Sequence, residues 1–412
     1  MVLQPQTLDD IDFWDLDLFS EGDPHAVWTL LRREAPVWFH DRPGGEPFWS
    51  LTRYEDCKAV HTNPMLFSSE RHGIVLRTTE ALAVAELGLN PIERNKPMIH
   101  TDPPRHQPLR KTISHNFTPR AVAQREDDIR AVITTLLDSV IEQGACDFVR
   151  DVAVEFPLVV TANMLGVPQS DRGKLFEWTN KMADVSLPPE QGLEMMTEMA
   201  GYLVGLVSER RERPTDDLLS RLIHAEVDGE KLNDIEIVVH FAQLMAGGNE
   251  TTRNAFAGGL LALIENPDQR QALLDDPSLI GSTVEEILRW HTPIMHNVRT
   301  ATEDVELRGA RIEEGQRLAL WHVAANRDPA VVPDPDSFDI SRGGVKHMSF
   351  SGGRHFCLGN QLARLELRIC IAETLRRMPD MALAGPVGRF PNNTFHWMTS
   401  MPVSFTPGPV SR

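Results

Sequence analysis

The segment Phe350-Ser351-Gly352-Gly353-Arg354-His355-Phe356-Cys357-Leu358-Gly359 sets one cysteine between a glycine turn and an apolar-periodic run. Gly352 and Gly353 permit a tight turn whose amides point inward. Behind the cysteine, Leu358, Leu362, Leu365, Ile369 and Ala372 share one helical face, so Cys357 is expected at a helix N-terminus. The macrodipole and unpaired amides there favour a thiolate over a thiol. A thiolate with amide donors aimed at its sulfur suits a haem iron, because those donors tune the electron density it gives. Two other readings stay open: a buried structural cysteine beside a turn, or a metal ligand shared with His355. For the second, no further Cys/His pair at zinc spacing is present.

A second chemical segment is Ala246-Gly247-Gly248-Asn249-Glu250-Thr251-Thr252, inside a long apolar run. Each mid-helix glycine costs about 1 kcal/mol relative to Ala, so Gly247 and Gly248 oppose local propensity, and such violations mark function or close packing. Without side chains there, a flat ligand can approach the backbone. The Thr251 hydroxyl can bond the carbonyl one turn back and open the helix locally. Glu250 is an ionisable group in an apolar helix, a candidate for proton delivery. A tight helix crossing with Glu250 in solvent would explain the same residues.

The elements that must position these groups are mostly helical. Apolar positions repeat at helical spacing through 121–143, and through 171–224 with breaks at Leu187-Pro188-Pro189 and Pro214. Residues 234–265 form one long helix, roughly 45 Å, stopped at Asn266-Pro267. Further helices are expected near 278–290 and 358–378. Val37-Trp38-Phe39 and Phe48-Trp49-Ser50-Leu51 flank a turn-rich DRPGGEP and predict a hairpin. A second hairpin is expected around Val305–Leu307, Arg311-Ile312 and Leu318–Trp321, and a last strand at Val403–Phe405. The fold class is α+β, mostly α, with small peripheral antiparallel sheets. No linker, low-complexity tract or repeat divides the chain, so residues 1–412 are expected to form a single domain.

A net charge of −18 argues against nucleic acid as the main partner. The acidic N-terminus does not match a signal peptide or a membrane anchor, and no run of 18 apolar residues occurs. Four cysteines in 412 residues do not make a disulfide framework. A cytoplasmic protein is expected.

The cysteine segment resembles the haem-binding signature of the cytochrome P450 family, with Phe350, Gly353, His355, Cys357 and Gly359 on its defining positions. Ser351 stands where that family more often has Gly. The 246–252 segment is similar to the family's oxygen-activating motif. The resemblance implies a single P450-type domain, haem b held by the Cys357 thiolate, and an acid–alcohol pair, Glu250 and Thr251, delivering protons to dioxygen beside Gly248. It implies that Glu286 and Arg289, three apart on a helix, form a buried structural pair joined by Arg327. It further implies that His106, Arg110, Arg299 and His355 hold the haem propionates, for which Arg forks are well matched.

The implied activity is monooxygenation: one atom of O2 is inserted into an apolar small molecule. The walls of the pocket are expected from Val75, Leu76, Leu244, Gly247, Ile294, Met295 and Met398, with Ile74, Met182, Val185 and Leu187 nearby. The local runs resemble bacterial members that hydroxylate aliphatic chains, terpenoids and sterol side chains. No flavin or nicotinamide segment is recognised, so a ferredoxin and its reductase are the expected electron donors. Arg105, Lys111, Lys346, Arg354 and Arg364 are the expected docking patch. A haem protein that binds or senses a ligand without turnover is the rival reading.

Overall fold

The computed structural model describes residues 5, 7–19, 24–79, 82, 95–183 and 187–411. Its central feature is the helix Asp234–Glu265. Asn233 starts it with a reciprocal cap: its Oδ1 accepts from the Glu236 amide at 3.0 Å, and the Glu236 carboxylate accepts from the Asn233 amide at 2.9 Å. Pro267 ends it and begins the next helix, Pro267–Asp275. Helices Glu155–Leu165, Ile280–His291 and Asn360–Arg377 pack around this axis. Gly258 and Gly259 allow the closest of these approaches, since a Cβ at either would collide with His291 or Ile287.

The expected 121–143 helix is two pieces, Pro119–Ala123 and Glu126–Asp138. The 171–224 region gives Arg172–Ala183, Pro189–Glu212 and Leu218–His224, broken where the prolines stand.

Among the described residues the largest sheet runs in the order Val37–His40, Phe48–Leu51, Arg317–Trp321, His296–Ala301, Phe67–Ser68. The first two strands form the expected hairpin. Phe48–Leu51 and Arg317–Trp321 pair parallel, an exception to the expected antiparallel pattern. Leu318–Trp321 therefore leaves the second hairpin, which consists of Val305–Leu307 and Ala310–Ile312 alone. His296–Ala301 escaped the sequence reading because its polar residues are almost all buried, so no alternation marks it. The last strand forms at Pro402–Ser404 and pairs with Ala382–Leu383 and Ala145–Asp147.

The helices share one large apolar core, and the sheet packs on a second that contains Phe13, Trp28 and Trp321. Phe13 stacks on Trp28 at 5.2 Å, and Trp28 meets Trp321 at 4.7 Å. No helix among the described residues is long and apolar enough to cross a membrane.

Candidate active site

The cysteine loop is closed by the Cys357 amide, which donates to the Phe350 carbonyl at 2.9 Å. The helix behind it begins at Asn360, and Asn360 Nδ2 donates to the Cys357 carbonyl at 2.8 Å. Burial pushes the Cys357 thiol up, while the Gly359 amide, Arg110 and Arg364 pull it down. The amide-backed sulfur is therefore present as expected. Gly353 has φ +61 and rests against the His61 carbonyl, where a Cβ would not fit. Ser351 also lies in the left-handed region, at φ 62. That explains the family's preference for Gly. Here the serine is held by its hydroxyl, 3.3 Å from His61 Nδ1. His61 Nε2 in turn lies 2.9 Å from His322 Nε2.

Cys357 opens into the cavity that the long helix crosses. Gln243, Leu244, Gly247, Gly248, Thr251, Thr252 and Ala255 give that helix's side of the wall. Phe350, His355, Cys357 and Gly359 give the cysteine side. Gly247 leaves open space, and Thr251 Oγ1 donates to its carbonyl at 2.9 Å, without the expected opening of the helix. Gly248 is small for another reason as well, because a Cβ there would meet Thr161 Oγ1 across a helix crossing.

Glu250 does not line the cavity and does not face solvent. It is 3% exposed and ion-paired with Arg253, and burial pushes its carboxyl up to about 7 against the pull of that arginine. Among the described residues, the carboxyl that reaches the cavity is Glu366, which the sequence reading did not single out. Thr252 Oγ1 donates to its Oε2 at 3.3 Å, its Oε1 has no partner among the described residues, and burial pushes it up to about 8. A signal was available: Glu366 sits four after Leu362 and three before Ile369, a charge on an apolar face.

One side of the cavity gathers Arg110, His106, Arg299 and His355, the four expected propionate holders, together with Asn297 and His322. The His106 and His355 rings stand 4.2 Å apart. Burial, Arg299 and His106 hold His355 down to about 2, and burial with Arg110 holds His106 near 4. Arg299 is 3% exposed, and burial lowers it to about 10. Its guanidinium donates to the Val298 carbonyl at 2.8 Å, and among the described residues no carboxylate lies within ion-pairing distance. Asp102 acts on it from farther away while bonded to Ser68 and Ser69. A buried cation without a counter-ion is costly. With the orphaned His355 Nε2, this donor set fits a group that carries two carboxylates beside a thiolate ligand. Among the described residues no cluster of three or more His, Cys, Asp or Glu competes for a metal.

Glu286 and Arg289 are both fully buried and joined by two bonds of 2.7 Å. Arg327 meets the pair through a shared acceptor: it and Arg289 both donate to the Pro335 carbonyl, at 3.4 and 2.8 Å, while its guanidinium stacks 3.6 Å above Trp290 and reaches His25 and Asp336. Arg342, not singled out in the sequence, stands 3.5 Å from Glu286. The pocket expectation also needs correction. Leu244, Gly247 and Ile294 line the cavity, but Val75 is exposed, and Leu76 and Met295 are buried in the sheet-side core. Met398 belongs to a separate cavity with Trp290, His291 and His396. Ile74 is the residue of its segment that lines the wall, and Leu187 does not. Val185 and the Met182 side chain lie outside the described residues. Of the expected docking cations, Arg105 pairs with Glu236 and Arg364 with Glu285. Lys111, Lys346 and Arg354 are exposed, as is Phe356 at 39%.

Comparison with known proteins agrees with this geometry. The family model for cytochrome P450 matches residues 189–378. A methyl-branched lipid omega-hydroxylase of Mycobacterium tuberculosis is 36% identical over 97% of this chain and 94% of its own length. A steroid C26-monooxygenase of Mycolicibacterium smegmatis is 36% identical over 98% of each chain. A Mycobacterium marinum cytochrome P450 solved with pseudoionone superposes with TM-score 0.88 at 34% identity, covering 98% of this chain and 100% of that one. The chain belongs to the cytochrome P450 family, and is a haem-thiolate monooxygenase.

Proposed function

We propose that Cys357 is the axial ligand and that Arg110, His106, Arg299 and His355 hold the propionates. The observation that carries this is the cavity itself, lined by both an amide-backed cysteine and Thr251, beside a buried Arg299 that lacks a carboxylate among the described residues. Bound haem supplies the redox chemistry that activates dioxygen and oxidises a C–H bond. Thr251 offers a hydroxyl from the long helix's wall of the cavity, where it donates to the Gly247 carbonyl. Glu366, protonated at neutral pH and bonded to Thr252, is the carboxyl placed to give a proton to the cavity. Glu250, locked to Arg253, serves it only if that pair opens.

The substrate is an apolar molecule of the lipid, terpenoid or sterol kind. The cavity wall of Ile74, Met98, Ile99, Leu244 and Ile294 supports this, as do the relatives named for lipid and steroid oxidation. Electrons come from external redox proteins. A ferredoxin with its reductase suits the exposed Lys111, Lys346 and Arg354, cations on a chain of net charge −18. The whole of 1–412 acts as one domain, and its four free cysteines suit the cytoplasm. The test is the reduced CO spectrum: a thiolate-type red-shifted Soret band in the wild type, lost in Cys357→Ser. A band that survives that substitution overturns the assignment.

A further inference from the structure

Among the described residues, the long helix presents one polar side chain, Gln243, to the cavity wall ahead of Thr251. Gln243 lies one turn before Gly247 and two before Thr251, in the i, i+4, i+8 row along the cavity wall. Leu244, Ile99 and Met98 line the same cavity. The Gln243 Oε1 accepts the Ile99 amide at 3.2 Å, which fixes which end of the side-chain amide faces that segment. Its Nε2 has no hydrogen-bond partner among the described residues and is not sealed from the cavity. An amide donor beside apolar walls is costly to leave unpaired once a ligand expels water.

We propose that Gln243 is the polar anchor of the substrate. Its Nε2 donates to a carbonyl, carboxylate or hydroxyl oxygen at one end of an otherwise apolar molecule. Eight residues of helix rise separate it from Thr251, about 12 Å, so the oxidised carbon lies roughly ten carbon–carbon bonds from that oxygen. The helix then works as a ruler counted from the polar end. This rests on the reading of Thr251 and Cys357 as the two faces of the reaction centre.

The experiment uses the haem-loaded enzyme and follows binding by the spin-state shift of the Soret band. The probes are dodecanoic acid, methyl dodecanoate, dodecanol and dodecane. The wild type is expected to bind the oxygenated probes at least about tenfold more tightly than dodecane. Gln243→Leu should erase that difference and leave dodecane binding as tight or tighter. Gln243→Glu should lose the carboxylate selectively and keep dodecanol. Equal affinities in the wild type, or equal losses for all probes in Gln243→Leu, overturn the anchor.

Product position gives an independent reading. Hydroxylation at a fixed distance from the oxygen as the chain lengthens supports the ruler, and hydroxylation fixed to the terminal methyl overturns it. A 3-ketosteroid and its 3-deoxy analogue, run beside the chains, separate the sources. Whichever class weakens in Gln243→Leu contains the oxygen that Gln243 holds, and if neither does the anchor is refuted. The thiolate-type CO band is recorded for each variant without substrate. Its loss would indict the haem reading, whereas a normal band with undiscriminating binding would indict Gln243 alone.

Discussion

Replacing Glu366 with Gln tests whether a protonated carboxyl stands at the cavity wall. Burial raises this group from 4.5 to about 8 in the folded chain, and it is 2% exposed, so solvent screens the effect little. Between those two values the folded state keeps a proton that the unfolded state has released. Stability is thus full below about pH 4.5 and falls as pH rises toward about 8. The slope for one proton is about 1.4 kcal/mol per pH unit, which amounts to about 4 kcal/mol between pH 5 and pH 8. For 412 residues, at about 2 cal/mol/K of unfolding entropy per residue, that is roughly 5 °C in Tm. Gln keeps the shape, and its amide oxygen can still accept from Thr252. The assay is the thermal midpoint of both haem-loaded proteins across that range. Other titrations cancel in the difference, so the wild type should lose about 5 °C relative to Glu366→Gln as pH rises. A difference that stays flat refutes the raised carboxyl and, with it, a neutral proton donor at this position.

Thr251→Ala should retain the haem spectrum but divert electrons from product to peroxide, seen as a lower ratio of product to NADPH consumed with surrogate redox partners. An unchanged ratio removes Thr251 from proton handling. Glu286→Gln should destabilise the chain by about 3 kcal/mol in denaturant titration, because it leaves Arg289 buried beside only carbonyl partners. Arg327→Gln should leave that pair intact and cost less; equal losses would return Arg327 to the cluster.

Much of this site was legible because its chemistry is local in sequence. The glycines, cysteine and apolar face of 350–372 are set by turn and helix rules that act over a few residues. The long helix declared its start and stop through Asn233 and Pro267. What was not legible depends on which way irregular chain turns. Ile74 faces the cavity, Val75 faces solvent and Leu76 enters the sheet-side core, three fates for three adjacent apolar residues. Arg342 and Arg327 are both arginines downstream of Glu286, and only the folded path of 328–342 brings Arg342 to Glu286 and Arg327 to the Pro335 carbonyl that Arg289 also uses. Glu366 and Gln243 were overlooked because a polar residue in an apolar helix looks like a lapse in the pattern until a cavity opens beside it.

The unpaired guanidinium of Arg299 has one more consequence, which belongs to assembly. A ligand that binds only the folded chain raises its stability in proportion to the logarithm of free ligand over dissociation constant. On the proposed reading, haem brings the carboxylates that this buried cation lacks among the described residues, so its capture and the completion of folding are one linked equilibrium. The yield of native protein in a cell then depends on haem supply as well as on the sequence, because the unfolded fraction falls as haem rises.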